Sequence, residues 1–288
     1  MKVFLNGQLV DREDARITVF DHGLLYGDGV FEGIRSYNGL VFKLSEHLDR
    51  LYDSAKAIEL QIPMTKKELE NAVIDTLNGN NLRDAYIRLV ITRGAGDLGL
   101  DPRKCKKATV FIITDRIVLY PREYYEKGLE IIIAKTCRNI KCALDPQIKS
   151  LNYLNNILAK IEAIKANAQE AIMLSNDGYV TECTGDNIFI VKKNVLLTPP
   201  ESVGLLKGVT RHAVMNLAKA AGISVKGVMM KPKDLYSADE CFLTGTAAEI
   251  VPVTKINDKT IGSGQPGKVT LKLLKAFQES TKVAGVKY

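Results

Sequence analysis

Gln147-Ile148-Lys149-Ser150-Leu151-Asn152-Tyr153-Leu154-Asn155-Asn156 decides how this chain is read. A lysine at the mouth of a helix is ordinarily a solvated charge. Leu151, Leu154, Ile157, Leu158, Ile161 and Ile164 predict an amphipathic helix directly after Lys149, which would fix the direction of its amine. Three segments follow in order: Thr181-Glu182-Cys183-Thr184-Gly185-Asp186-Asn187, Gly208-Val209-Thr210-Arg211 and Thr244-Gly245-Thr246-Ala247-Ala248-Glu249-Ile250.

Each piece has an ordinary reading and a chemical one. A lysine amine condenses with an aldehyde and can afterwards shuttle a proton. Glu182 ends a strand; it is either a strand-end acid bonded to backbone or a carboxylate that keeps a pyridine nitrogen protonated. Gly208-Val209-Thr210 opens a helix, either capped by Thr210 or offering free N–H groups to an anion. Thr244-Gly245-Thr246 is a turn, or the other side of a phosphate cradle. The ordered set describes a site for a phosphorylated aromatic aldehyde, pyridoxal phosphate.

The bulk properties leave room for this and close off alternatives. A chain of 288 residues exceeds the usual single domain, so two domains are expected. Lys+Arg 40 against Asp+Glu 33 gives +7, which reads as a lysine-rich surface that attracts anionic substrates and not as a nucleic-acid interface. The five cysteines make no metal or disulfide pattern, and His22, His47 and His212 are too scattered for a metal site. The polar N-terminus is unlike a signal peptide, and no apolar run approaches the ~20 residues of a membrane span. A cytoplasmic protein, free of membrane and nucleic acid, is expected.

Patterning predicts an α+β chain. Hairpins turn at Asn6-Gly7, between Lys2–Leu5 and Gln8–Val10, and at Asn38-Gly39, between Phe31–Tyr37 and Leu40–Lys43. Ser45 is expected to cap a helix, and Thr65 with Glu68 forms a capping box for the next. Strands are expected at Ala85–Thr92 and Thr109–Thr114. The pattern lapses near Tyr120-Pro121-Arg122-Glu123, so the division expected is a small domain over 1–119, a linker over 120–128 and a larger domain over 129–288 that carries Lys149. Gly94-Ala95-Gly96-Asp97-Leu98-Gly99 matches G-x-G-x-x-G. Leu100-Asp101-Pro102 follows it where a dinucleotide fold needs a helix, so the glycines are read as a mobile loop near the substrate.

With Asp21-His22-Gly23-Leu24-Leu25-Tyr26-Gly27-Asp28-Gly29-Val30-Phe31-Glu32-Gly33-Ile34-Arg35 and Glu46-His47-Leu48-Asp49-Arg50-Leu51 added, nearly the whole chain resembles the class IV, fold-type IV aminotransferases, most closely those acting on branched-chain amino acids. The resemblance implies a small N-terminal α/β domain, a larger pseudo-barrel domain, and pyridoxal phosphate between them. It also implies a homodimer or higher homo-oligomer with shared active sites. Carried over, Lys149 matches the Schiff-base lysine and Glu182 the partner of the pyridine nitrogen. Tyr153 matches the tyrosine beside the phenolic oxygen; Arg50, Val209, Thr210, Gly245 and Thr246 match the phosphate set. Tyr26, Arg88, Thr246 and Ala247 resemble the residues that receive the substrate carboxylate, with Phe31 as a pocket wall and Arg35 or Arg88 for a second carboxylate. Asp97–Asp101, with Leu100, resembles a loop lent to the partner's site. The implied reaction is transfer of an amino group from leucine, isoleucine or valine to 2-oxoglutarate, in two half-reactions. D-amino-acid aminotransferases, aminodeoxychorismate lyases and (R)-amine aminotransferases share the fold. The first typically carry an Arg-x-His pair where this chain reads Arg93-Gly94-Ala95.

Overall fold

The computed structural model describes residues 1–116 and 120–288. The chain forms two compact units: Met1–Ile117 with Ile148–Asn152 and Thr281–Tyr288, and Val118–Gln147 with Tyr153–Ser280. The boundary expected after residue 119 lies outside the described residues. The expected linker contains a helix, and the Lys149 segment groups with the first unit, for reasons given below.

The first unit is a sheet under two helices. β1 (Lys2–Leu5) and β2 (Gln8–Asp11) form the first hairpin; α1 (His22–Tyr26) precedes β3 (Gly29–Tyr37) and β4 (Leu40–Phe42). α2 (Leu44–Ala57), α3 (Lys66–Gly79), β5 (Ala85–Thr92) and β6 (Thr109–Asp115) follow. The sheet runs Gly285–Lys287, β4, β3, β5, β6, β1, β2. Both hairpins turn on the expected dipeptides, with φ of 50° and 97° at Asn6-Gly7 and 45° and 80° at Asn38-Gly39. The Thr65–Glu68 capping box forms. Ser45 does not cap α2: the helix begins at Leu44, and its N-cap is Lys43, in the left-handed region with no side-chain bond. Ile34, Ile87, Leu89 and Ile91 alternate onto one face of the sheet and bury against Leu44, Leu48, Leu51, Leu69 and Leu77 of the helices. Each is 2 % exposed or less, so truncation such as Ile87→Ala would cost about 2–5 kcal/mol.

The second unit contains α4 (Arg122–Lys127), β7 (Leu129–Ile133), α5 (Leu154–Lys165), β8 (Glu170–Leu174), β9 (Val180–Cys183), β10 (Asn187–Lys192) and β11 (Val195–Thr198). It continues through α6 (Val209–Ala220), β12 (Val225–Gly227), α7 (Pro232–Tyr236), β13 (Glu240–Gly245), β14 (Glu249–Ile256), β15 (Lys259–Thr260) and α8 (Lys268–Ser280). The strand path is β12, β11, β10, β13, β14, β7, β8, β9. Because β9 leads into β10 through a tight turn closed by Cys183 N donating to Asp186 O at 2.7 Å, the sheet curls toward itself. Phe189 and Phe242 face one another across β10 and β13, their rings stacked at 5.1 Å.

β14 lies inside the strand path although Pro252 stands in its middle, where proline is ordinarily excluded. Helix α5 buries Asn156, Ala159 and Ala163. The apolar residues that mark the helix in the sequence, Leu154, Ile157, Leu158, Ile161 and Ile164, are exposed. Small alanines let α5 lie close on β8, with Ala171 and Met173 beneath.

Candidate active site

Lys149 does not stand at the mouth of a helix. Helix α5 begins at Leu154, and Ile148–Asn152 runs instead along β3. Phe31 N donates to Lys149 O at 3.0 Å and Leu151 N to Gly29 O at 2.9 Å. Lys149 N donates to Ser54 Oγ of α2 at 3.1 Å. These bonds hold the segment in the first unit and bring Lys149 Nζ to 4.5 Å from the centre of the Phe31 ring. Arg88 lies opposite Gly33 in the β3–β5 register, on the same face as Phe31. Its guanidinium sits 4.6 Å from the Phe31 ring and 5.4 Å from that of Tyr86. Gly33 is required there, since a Cβ would collide with the Tyr86 hydroxyl.

The opposite face of β3 carries Glu32, fully buried among core residues. Arg50 of α2 grips it with two bonds, Nε to Oε1 and Nη2 to Oε2, both 2.7 Å, and His47 Nδ1 lies 2.7 Å from Oε2. Burial alone would raise the Glu32 pKa; the Arg50 charge, with the His47 and Arg50 bonds, outweighs it and brings the value down to about 2. Burial lowers the His47 pKa against the pull of Glu32, with Arg50 and Lys149 adding to the lowering. The imidazole Nδ1–H donates to the carboxylate.

Tyr26 Oη donates to Leu98 O at 2.6 Å, and His22 Nε2 to Asp97 O at 2.8 Å, so α1 is bonded to the 94–99 loop. Leu100 is 77 % exposed. Arg35 lies on the same face of β3 as Phe31 and pairs with Tyr86 in the β3–β5 register. Its guanidinium stacks on Tyr37 at 4.8 Å, and it lines a cavity of about 400 Å³ with Arg83 and Arg116.

In the second unit Glu182 is 5 % exposed and held on three sides. Arg138 Nε donates to Oε1 at 2.8 Å, Asn187 Nδ2 to Oε2 at 3.2 Å and Leu206 N to Oε2 at 3.0 Å. Thr244 is the cross-strand partner of Asn187 and so faces the same side. Its Oγ1 is buried and lacks a hydrogen-bond partner among the described residues. Helix α6 starts from Gly208 without any side-chain cap, so Thr210, 4 % exposed, lies in the first turn and is not the cap. A Cβ at Gly208 would strike Asn187 Oδ1, and one at Gly245 would strike Asp186 Oδ1. Val209 opens α6, while Thr246 and Ala247 form the turn between β13 and β14. Tyr153 is the N-cap of α5.

Residues 29–256 match the model of the family described as amino-transferase class IV. The chain belongs to the class IV aminotransferases. A Methanocaldococcus jannaschii protein provisionally named as a branched-chain-amino-acid aminotransferase is 54% identical, over 100% of this chain and 99% of its own. A Bacillus licheniformis D-alanine aminotransferase is 37% identical, over 97% of each chain. Among solved structures, the T.th. branched-chain amino acid aminotransferase with pyridoxamine 5'-phosphate superposes with a TM-score of 0.94 at 37% identity, over 97% of this chain and 93% of that one.

A phosphorylated pyridine aldehyde suits the groups this class IV chain presents. The uncapped start of α6, the two glycine turns without room for a Cβ and the orphaned Thr244 hydroxyl are suited to an anion. Glu182 is a carboxylate with defined direction, and Lys149 is an amine fixed against an aromatic wall. Glu32, His47, Ser54, Arg138 and Asn187 hold these groups in place and were not singled out from the sequence. One signal was available: His47, Arg50 and Ser54 fall at i, i+3 and i+7, a polar stripe on an otherwise core-facing helix. Glu32, an acid among Val30, Phe31 and Ile34, was another. Arg138 lies in irregular chain and gave none.

Proposed function

We propose that this aminotransferase moves the amino group of branched-chain L-amino acids to 2-oxoglutarate, with pyridoxal phosphate as cofactor. The observation that carries the reading is the Phe31 ring, with Lys149 Nζ at 4.5 Å and the Arg88 guanidinium at 4.6 Å. An apolar wall beside a cation accepts an aliphatic side chain in one half-reaction and a second carboxylate in the other.

The residues proposed to hold the cofactor are Lys149, Arg50, Tyr153, Glu182, Val209, Thr210, Gly245 and Thr246. Bound pyridoxal phosphate supplies a protonated ring that accepts the electrons of the substrate carbanion. With the cofactor bound, Lys149 Nζ would accept and hold the proton of the substrate α-carbon. Glu182 keeps the ring nitrogen protonated, with its own charge balanced by Arg138. Arg50 and the first turn of α6 hold the phosphate. Arg88, Thr246 and Ala247 receive the substrate carboxylates, Phe31 walls the side chain, and Tyr26 serves through its grip on the loop that carries Leu100. Arg35, paired with Tyr86 in the β3–β5 register, remains the alternative cation for a second carboxylate.

The assembly we infer is a homodimer. Leu154, Ile157, Leu158, Ile161 and Ile164 form one exposed apolar helix face, which a second copy would cover. Leu98 and Leu100, 70 % and 77 % exposed, support a loop lent to the partner. Five unpaired cysteines support a reducing, cytoplasmic setting.

A single-turnover absorbance scan tests the reaction. The purified holoprotein is mixed, without acceptor, with L-leucine and separately with D-alanine. Loss of the visible band with L-leucine alone is expected. Loss with D-alanine alone would favour the second reading, which the Bacillus licheniformis relative keeps open; no change with either would overturn both.

A further inference from the structure

We propose that Glu32 and His47 are positioning residues that aim the Arg50 guanidinium at the cofactor's phosphate. This rests on the cofactor reading above. Glu32 is an acid on the core face of β3, between Val30 and Ile34, both 0 % exposed. An apolar residue would serve packing at that place. The carboxylate instead meets one guanidinium at two points, Nε–Oε1 and Nη2–Oε2, each 2.7 Å. A two-point bond fixes the plane of an arginine, where a single contact leaves it to rotate. His47 stands one turn earlier on the same helix and holds Oε2 at 2.7 Å, so the carboxylate is itself held.

Two effects of Glu32 oppose each other. As a counter-charge it weakens the pull of Arg50 on an anion; as an orienting group it strengthens the bond by removing the cost of ordering the side chain. The bidentate geometry, braced by His47, assigns the larger effect to orientation. Removing the acid should therefore weaken phosphate binding even though it leaves the region more positive.

The experiment compares affinities of the dialysed full-length protein for pyridoxal phosphate and for pyridoxal, by fluorescence titration, alongside thermal melts. In Glu32→Gln and His47→Leu, affinity for pyridoxal phosphate should fall by at least about tenfold, with pyridoxal unaffected. His47→Asn, whose amide can still donate to Oε2, should keep the wild-type ratio. Equal or tighter binding of pyridoxal phosphate by Glu32→Gln would make the acid a counter-charge only and overturn the inference. Equal weakening of both ligands would reduce it to a structural residue, with the same consequence. If Glu32→Gln fails to fold, the contrast between His47→Asn and His47→Leu decides alone. A wild-type protein that does not prefer the phosphorylated form would overturn the cofactor reading itself, and this inference with it.

Discussion

Each unit contains a buried arginine–glutamate pair, and the two are arranged in opposite senses. In the first, the deepest group is the carboxylate of Glu32, and the cation of Arg50, with 12 % of its side chain accessible, is directed by it. In the second, Glu182 is the group suited to a ligand, and Arg138 steadies it from a position 9 % exposed. Neither charge could be buried alone, because desolvation of an unpaired ion costs several kcal/mol. The polarity then follows the chemistry each unit would face: a cation for a phosphate, an anion for a protonated ring nitrogen. The supports differ as well. Glu32 has two side chains from one helix turn, whereas Glu182 adds a strand amide and a backbone N–H to its arginine. A pair built on α2 depends on helix packing; one built on β9 and β10 is distributed over several segments.

The largest effect should come from Lys149. Lys149→Ala is expected to lower turnover by about 10⁴-fold or more while the protein still binds cofactor noncovalently. Steady-state rates and the absorbance of the dialysed protein check this together. Full activity would mean that neither ion pair serves the chemistry assigned to it.

Breaking one partner of each pair tests the contrast itself. Arg50→Met leaves Glu32 with His47 alone and should cost about 5 kcal/mol, while Arg138→Met, which leaves Glu182 with two neutral donors, should cost about 3 kcal/mol. Denaturant melts would measure both. Losses below about 1 kcal/mol, the range of exposed pairs, would refute the description of either as a buried pair that matters. The acid limb sharpens the difference. A carboxylate whose folded pKa is about 2, against an ordinary 4.5, adds stability above pH 4.5 that disappears as pH falls toward 2. That contribution is on the order of 3 kcal/mol. In Arg50→Met the lowering charge is gone and burial remains, so acid unfolding should begin at higher pH, as circular dichroism against pH would reveal.

How much of this could be read beforehand depends on the range of the interaction that sets each feature. The Asn6-Gly7 and Asn38-Gly39 hairpins and the Thr65–Glu68 box formed as expected because turns and caps are decided within four residues. Helix α5 was located by its periodicity, yet the apolar face that marks it is exposed. Apolar spacing reports that a face needs covering; it does not say whether the same unit covers it. Lys149 was singled out as a residue, while its placement along β3 depends on bonds to Phe31, Gly29 and Ser54, remote in sequence. The same reason hid Arg138: its meaning lies wholly in Glu182, 44 residues away.

The smallest effect concerns the hydroxyl that neither ion pair uses. Thr244 Oγ1 is buried beside Asn187 and carries the desolvation cost of an unmade hydrogen bond. Thr244→Val removes the polar atom and keeps the shape, so the cofactor-free protein should melt unchanged or be stabilised by about 1 kcal/mol. If the hydroxyl serves the ligand, the same substitution should weaken pyridoxal phosphate binding by about two- to tenfold, the value of one ordinary hydrogen bond. Opposite signs in the two states would mark Thr244 as a binding group whose cost to the empty fold is recovered on ligation. A loss of stability in both states would instead place its role in packing between β10 and β13, and the second unit's ligand-facing groups would then end at Glu182 and the start of α6.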